Sequence, residues 1–295
     1  MIIDGRKIAE QLQLTIKDDI KKSVQNGQQR APCLAVILVG AHSASTIYVA
    51  RKAQACAVVG ITLIRRDLSS DISLENLLSE ISALNENDAV DGIIVQLPLP
   101  PHINPLHITH AISPTKDVDG FHPYNVGCML LGETGGFLPC TPMGVMHLLR
   151  EIKLDLTGKH AVVLGRSNIV GKPMAALLMQ PAWGGNATVT IANRHTINLR
   201  ALCQSADLLV VAVGQPHLIT ADMVKEGAVV IDVGVNKIVD HSKKEGYRIV
   251  GDVEFSSVAS KCAHITPVPG GVGPMTIAML LKNTLTSYQQ KFSQI

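Results

Sequence analysis

The sequence predicts an α/β protein of two domains, each built on a parallel β-sheet flanked by helices. Three observations carry this. Short, continuous apolar runs alternate with longer helical segments along most of the chain. Hydrophobic residues make up 46% of the 295 residues but aromatics only 3%, so the core is aliphatic, which suits strands buried on both faces. The alternation breaks once, between Pro114 and Gly144, and then resumes, as expected for a chain long enough to form two domains.

An amphipathic helix is expected over Ile8–Ser23. The run PCLAVILVG, Pro32–Gly40, reads as a buried strand, and a helix from Ser45 to Gly60 follows it. Either Ser43 or Ser45 can cap that helix, because a hydroxyl there accepts a free backbone N–H. Ile61–Leu68 reads as a strand, Leu74–Asn85 as a helix, and Gly92–Leu99 (GIIVQLPL) as a buried strand ending in prolines. Pro114–Gly144 is rich in Gly, Pro and polar residues and is expected to be irregular; such stretches are usually functional or mark a domain junction. The second series has strands at His160–Gly165, Ala187–Ala192, Asp207–Gly214 and Ala228–Val235. Helices are expected at Val170–Gln180 and Leu199–Ala206, with a long final helix at Pro274–Phe292. Right-handed crossovers between such strands give parallel sheets.

Composition excludes several function classes. Charged residues are 17% of the chain and the net charge is +2, with no basic stripe interleaved with aromatics, so nucleic acid is not an expected partner. No apolar run is long enough to cross a bilayer. The first residues, MIIDGRK, lack the order of charged and apolar regions of a signal peptide. The six cysteines form no CxxC pair, which argues against a zinc site or a disulfide framework; reduced thiols and a cytoplasmic location are expected, with no metal.

Two places carry chemistry. Ser45, Tyr48 and Lys52 are spaced three and four apart, on one face of the expected helix at the mouth of a strand. A hydroxyl, a phenol and an ammonium aimed together suit proton transfer, although a lone helix lysine is ordinarily a solvated one. The second place is GRSNIVGKP, Gly165–Pro173, between a strand and a helix. Glycines permit a tight turn and close approach of a phosphate to the helix N-terminus. Ser167 stands where the usual G-x-G-x-x-G has its middle glycine, so the motif alone equally fits an ordinary strand–helix turn. The next strand ends Ala192-Asn193-Arg194-His195, without the carboxylate that grips the ribose of NAD. Arg194 can instead hold a ribose phosphate in bidentate fashion, with Arg166 able to serve the same phosphate; this favours NADP over NAD.

Seven segments, in order, resemble the methylenetetrahydrofolate dehydrogenase/cyclohydrolase (FolD) family: ASTIYVARK (44–52), DGIIVQLPLP (91–100), PTKDVDGFHPYNVG (114–127), PCTPMG (139–144), GRSNIVGKP (165–173), GAVVIDVGVN (227–236) and TPVPGGVGPMT (266–276). The resemblance implies NADP-dependent oxidation of methylene-tetrahydrofolate to the methenyl form, then its hydrolysis to formyl-tetrahydrofolate. It implies a folate domain from residues 1–139 and 274–295 and a Rossmann-type NADP domain from 140–273, with a cleft between them, in a cytosolic homodimer. It matches Lys52 to the family's catalytic lysine, Tyr48 to its tyrosine, Gln96 to the glutamine that orients the lysine, and Asp119 to the aspartate that holds the pterin. Substrate contacts are expected from Ser45, Tyr48, Asp119, Pro269, Gly270 and Gly271, and cofactor contacts from Gly165, Arg166, Ser167, Gly171, Arg194 and Val235. Lys52 suits proton transfer where a buried cleft or a nearby cationic substrate disfavours its charged form; base, acid and electrostatic roles stay open. Gln54, Cys128 and Asn193 depart from residues common in the family. Two other readings are a monofunctional NADP dehydrogenase of similar build and a non-catalytic binding protein; an intact Lys52, Gln96 and Asp119 argue against the latter.

Overall fold

The computed structural model describes residues 1–25, 30–40, 43–181, 184–243 and 246–293. The chain forms two compact units. One comprises Glu10–Cys140 and Ile277–Ile295, the other Met1–Ala9 and Thr141–Thr276. Among the described residues no helix is long and apolar enough to cross a membrane.

In chain order the first series runs α1 (Gly5–Gln25), β1 (Cys33–Val39), α2 (Ser43–Val59), β2 (Thr62–Leu68), α3 (Leu74–Glu86), β3 (Gly92–Val95), α4 (Pro105–Ala111), α5 (Pro123–Leu131) and α6 (Cys140–Glu151). Its sheet is parallel, in the order β2-β1-β3. Every residue of β1 is buried, which explains its unbroken apolar sequence. The edge strand β2 carries Arg65, Arg66 and Asp67 and is mostly exposed, a charged edge that discourages pairing with another chain. β3 stops at Val95, short of the expected Leu99, because Pro98, Pro100 and Pro101 have no N–H to give a ladder.

The stretch expected to be irregular contains α5 and the start of α6. α5 is short but fully punctuated. The His122 Nδ1 accepts the Tyr124 N–H, Pro123 stands in the first turn, and Gly132 closes the helix at φ 76°. Asp117 bridges in parallel to Ile93, extending the sheet edge by a single residue.

Charged groups are built into this unit beside its aliphatic core. The Asp91 carboxylate, fully enclosed, accepts two hydrogen bonds from the Arg30 guanidinium (2.7 and 2.8 Å) and one from the Cys33 N–H (2.8 Å). Lys291 of the C-terminal helix lies 3.0 Å from the same carboxylate. Lys116, buried, donates to the carbonyls of Leu84, Asn85 and Asn87 and so satisfies the C-terminal end of α3.

The second series runs β4 (His160–Leu164), α7 (Gly171–Met179), β5 (Thr188–Ala192), α8 (Leu199–Gln204), β6 (Leu208–Val211), β7 (Val229–Asp232), β8 (Asn236–Val239), β9 (Tyr247–Val250), α9 (Phe255–Val258), β10 (His264–Ile265) and α10 (Val272–Ser293). The parallel sheet has the order β10-β7-β6-β4-β5. Its first strand therefore lies between its second and third, the strand reversal at which doubly wound folds bind their ligands. Residues 1–9 belong here: Ile3 donates to the Ile265 carbonyl (2.8 Å) and Arg6 to that of Gly270 (3.0 Å). The antiparallel β8–β9 hairpin follows β7, where the sequence suggested no element.

Removing the Asp91 charge leaves Arg30 and Lys291 without their common partner. Asp91→Asn is expected to destabilise the protein by about 3 kcal/mol, since breaking a buried ion pair from one side costs roughly 3–5 kcal/mol and these cations keep some contact with water. Asp18→Asn, which breaks only the exposed 3.9 Å pair with Lys21, should change stability by less than about 1 kcal/mol. Urea denaturation of the two variants checks the contrast.

Candidate active site

Ser45, Tyr48 and Lys52 share α2, as their spacing requires. The helix begins at Ser43, so Ser45 lies in its first turn. Its buried hydroxyl donates to the Leu97 carbonyl (3.4 Å); the Ser43 side chain lies outside the described residues. Lys52, half-buried, donates to Gln96 Oε1 (3.1 Å), and Gln96 Nε2 donates to the same Leu97 carbonyl (2.8 Å). The chain of contacts fixes which end of the Gln96 amide faces the lysine. The oxygen meets the ammonium because the nitrogen is already committed to Leu97. Tyr48 is 36% exposed, an aromatic face open for contact beside this network.

Asp119 is half-buried and shares a small cavity with Asp117, Ile93, Val95, Ile108 and Phe121. Asp117 is the more enclosed of the two carboxylates. It accepts the His122 N–H (2.7 Å) and the Asn125 side-chain amide (2.8 Å), and burial pushes its pKa up to about 6. It thereby fixes the segment that carries Asp119.

Cys140, one of the six cysteines expected to be reduced thiols, stands beside this segment. It is buried, donates to the Val118 carbonyl (3.3 Å) and lies against Asp119. Burial pushes its pKa well up, Asp119 pushes the same way, and Lys52 opposes them. The thiol therefore stays neutral, a soft neighbour to the carboxylate. Its place in the PCTPMG segment was the available signal. Cys128, one of the departures from the family, is also buried.

The other unit holds the glycine turn. Gly165 has φ 129°, and a Cβ there would sit 2.3 Å from the Ala212 carbonyl oxygen, so only glycine fits between the ends of β4 and β6. A Cβ on Gly171 would sit 2.2 Å from the Gly165 oxygen, so α7 starts directly on the turn. Ser167 has a specific task in place of the usual glycine: its hydroxyl accepts the N–H of Val170 (3.1 Å) and of Gly171 (3.3 Å). Those two donors are spent inside the turn itself.

At the end of β5, Asn193 builds a second tight turn. Its Oδ1 accepts the His195 N–H (3.0 Å), and its own N–H donates to Thr196 Oγ1 (2.9 Å). Arg194 projects from this turn, exposed, with its Nε donating to His195 Nε2 (3.1 Å). Val235, 51% exposed, lies just past the end of β7. Pro269, Gly270 and Gly271 belong to this unit as well. Gly271 packs so closely on Gly5 that a Cβ on Gly5 would lie 1.9 Å from its carbonyl oxygen. The structure thus gathers Ser45, Tyr48, Lys52, Gln96 and Asp119 in one unit, and the dinucleotide turn, Arg194, Val235 and Pro269–Gly271 in the other. Among the described residues no cluster of His, Cys, Asp and Glu could hold a metal.

Comparison with known proteins agrees with this division of chemistry. Residues 3–119 match the tetrahydrofolate dehydrogenase/cyclohydrolase catalytic domain, and residues 139–292 match the NAD(P)-binding domain of the same family. The chain is 62% identical over 290 residues, 98% of each chain, to the bifunctional protein FolD of Protochlamydia amoebophila. It superposes on the bifunctional FolD methylenetetrahydrofolate dehydrogenase/cyclohydrolase of Campylobacter jejuni with a TM-score of 0.92, at 47% identity over 99% of both chains. The Trypanosoma brucei dehydrogenase-cyclohydrolase, solved with NADP and an inhibitor, gives a TM-score of 0.94 at 40% identity, covering 99% of this chain and 98% of that one. On the fold, the glycine turn and these matches together, the chain belongs to the tetrahydrofolate dehydrogenase/cyclohydrolase family.

Proposed function

We propose that Lys52, Gln96, Tyr48 and Asp119 carry both reactions of a bifunctional enzyme. It oxidises 5,10-methylenetetrahydrofolate to 5,10-methenyltetrahydrofolate with NADP and hydrolyses that product to 10-formyltetrahydrofolate, a one-carbon donor for purine synthesis. The observation that carries the residue assignment is the fixed Lys52–Gln96–Leu97 contact chain, which aims a single ammonium from the helix that also carries Ser45 and Tyr48. The unit made of Glu10–Cys140 and Ile277–Ile295 takes the folate, and the unit made of Met1–Ala9 and Thr141–Thr276 takes the dinucleotide.

Asp119 accepts hydrogen bonds from the amino group and ring N–H of the pterin, which fixes the ring plane. The Tyr48 ring lies along the aminobenzoyl group. Ser45 supports this wall through the Leu97 carbonyl, and the Pro269–Gly271 backbone suits a flat ligand. NADP, when bound, accepts the hydride from the methylene carbon. Arg166, Ser167 and the Gly165–Gly171 turn hold its phosphates, Arg194 grips the phosphate on the ribose, and Val235 supplies apolar contact. The absence of a carboxylate at the end of β5 favours NADP over NAD. In the hydrolytic step water adds to the methenyl carbon and Lys52 moves a proton, with Gln96, which cannot titrate, holding the lysine in place. By the same resemblance the enzyme works as a homodimer in the cytoplasm; its six free, buried thiols suit a reducing compartment.

Three variants test these roles. Lys52→Ala should lower methenyl hydrolysis by about 10²–10⁴-fold, the usual share of a general acid or base, with NADP affinity unchanged; undiminished hydrolysis would remove Lys52 from the mechanism. Arg194→Ala should weaken NADP by about tenfold or more and leave NAD binding as it was, because a charged hydrogen bond to phosphate is worth roughly 1.5–3 kcal/mol. Equal losses for both dinucleotides in a titration would contradict the phosphate contact. Gly171→Ala should abolish dinucleotide binding, since its methyl would meet the Gly165 carbonyl 2.2 Å away.

A further inference from the structure

The buried carboxylates of Asp232 and Asp252 have no place in the chemistry described so far. Both lie in the dinucleotide unit, almost wholly enclosed, Asp232 at 3% exposure and Asp252 at 0%. No hydrogen bond or ion pair to a basic side chain is seen for either among the described residues. Isolated buried charges are costly, so their compensation must come from elsewhere. It comes from oriented N–H groups. Asp232 accepts those of Gly234 (2.9 Å), Asp252 (3.0 Å) and Val253 (2.9 Å). Asp252 accepts those of Val213 (2.7 Å) and Gly214 (2.9 Å) and the side-chain amide of Asn236 (2.8 Å).

Val213, Gly214 and Gly234 follow strands of the parallel sheet, Asn236 opens β8, and Asp252 and Val253 follow β9. Val213 and Gly214 follow β6, next to Ala212, whose carbonyl abuts Gly165 of the dinucleotide turn. Gly234 and Asn236 flank Val235 beyond β7. Asp232 therefore holds the residue before Val235 and Asp252 the residue after it. The two aspartates act in series, because Asp232 also fixes the Asp252 backbone. Two glycines make room for them: a Cβ on Gly251 would lie 1.8 Å from Asp232 Oδ2, and one on Gly234 would lie 2.3 Å from Asp252 Oδ1. Any other residue at either position would displace the carboxylates.

We propose that Asp252, seated by Asp232, is a positioning residue for the dinucleotide: it fixes the segments after β6 and β7 that wall the binding crevice at the strand reversal. The inference rests on the NADP reading above and adds a second layer to it. Neither aspartate touches the ligand. Each sets the backbone that does, so that the crevice is formed before NADP arrives.

Asp252→Ala leaves the Val213 and Gly214 N–H groups without an acceptor and frees Asn236. Its KM for NADP should rise about tenfold or more, the scale expected when a binding wall shifts by part of an ångström. Hydrolysis of methenyl-tetrahydrofolate supplied directly, which consumes no dinucleotide, should persist. Asp252→Asn should restore most of the NADP affinity, since its carbonyl oxygen can accept both backbone donors while its amide donates to a turned Asn236. A role in global stability alone would depress both activities together. Parallel loss of the two activities in Asp252→Ala, or an unshifted KM for NADP, overturns the inference. If Asp252→Ala does not fold, Asn236→Ala decides: a raised KM for NADP supports the assignment and an unchanged one overturns it. A native enzyme that NADP does not saturate would instead overturn the dinucleotide reading and the inference with it.

Discussion

A buried aspartate bonded to backbone N–H groups recurs at four places where this chain enters or leaves a sheet. Parallel strands end with donors that no neighbouring strand can take, and in a dry interior each unpaired one costs about 1–3 kcal/mol. Asp91 takes the Cys33 N–H, Asp117 that of His122, Asp232 three and Asp252 two. Loops tied in this way have one geometry instead of many. The active residues stand on or beside such loops. Asp119 follows Asp117 by two positions, and Val235 follows Asp232 by three. On the assignment proposed above, function depends on carboxylates that do not themselves meet a substrate.

The two chemistries call for different kinds of rigidity. The proton transfer proposed for Lys52 needs one side chain held, and the Gln96 amide does this because its other end is fixed to the Leu97 carbonyl. Hydride transfer needs two flat groups held face to face, which is a property of walls. In the proposed reading, glycines and prolines at 266–276 and the turn in which Gly171 packs on Gly165 supply such walls from the backbone itself. Substitutions in the first class should injure one activity; those in the second should injure binding.

Much of this was legible in the sequence for physical reasons. β1, β6 and β7 are buried from end to end, and β4 from its second residue on, so their apolar runs announced them. Ser45, Tyr48 and Lys52 shared a face because a helix has one period. α5 was missed although His122, Pro123 and Gly132 mark both its ends: nine residues show little more than two turns of periodicity, and the glycines around it read as loop. The β8–β9 hairpin is half-exposed and carries no strong apolar pattern. Asp232 lies inside a run expected as a strand, and Asp252 carried no signal of its own. Their partners lie up to 39 positions away, and no local pattern reports contacts at that range.

The ends of the chain are spent in both units. Ile3 pairs with Ile265, and Ser287 and Tyr288 bond to the Asp91 and Arg30 carbonyls beside β1 and β3. A ribosome delivers residues from one end, and domains made of one continuous stretch can fold while the rest is still being made. Neither unit here has that option. The segment at residues 1–3 waits for 265, and the β1–β3 sheet waits for 288. Each unit is therefore completed only by a segment far along the chain, and the nascent chain carries its apolar strands unfinished until that segment emerges.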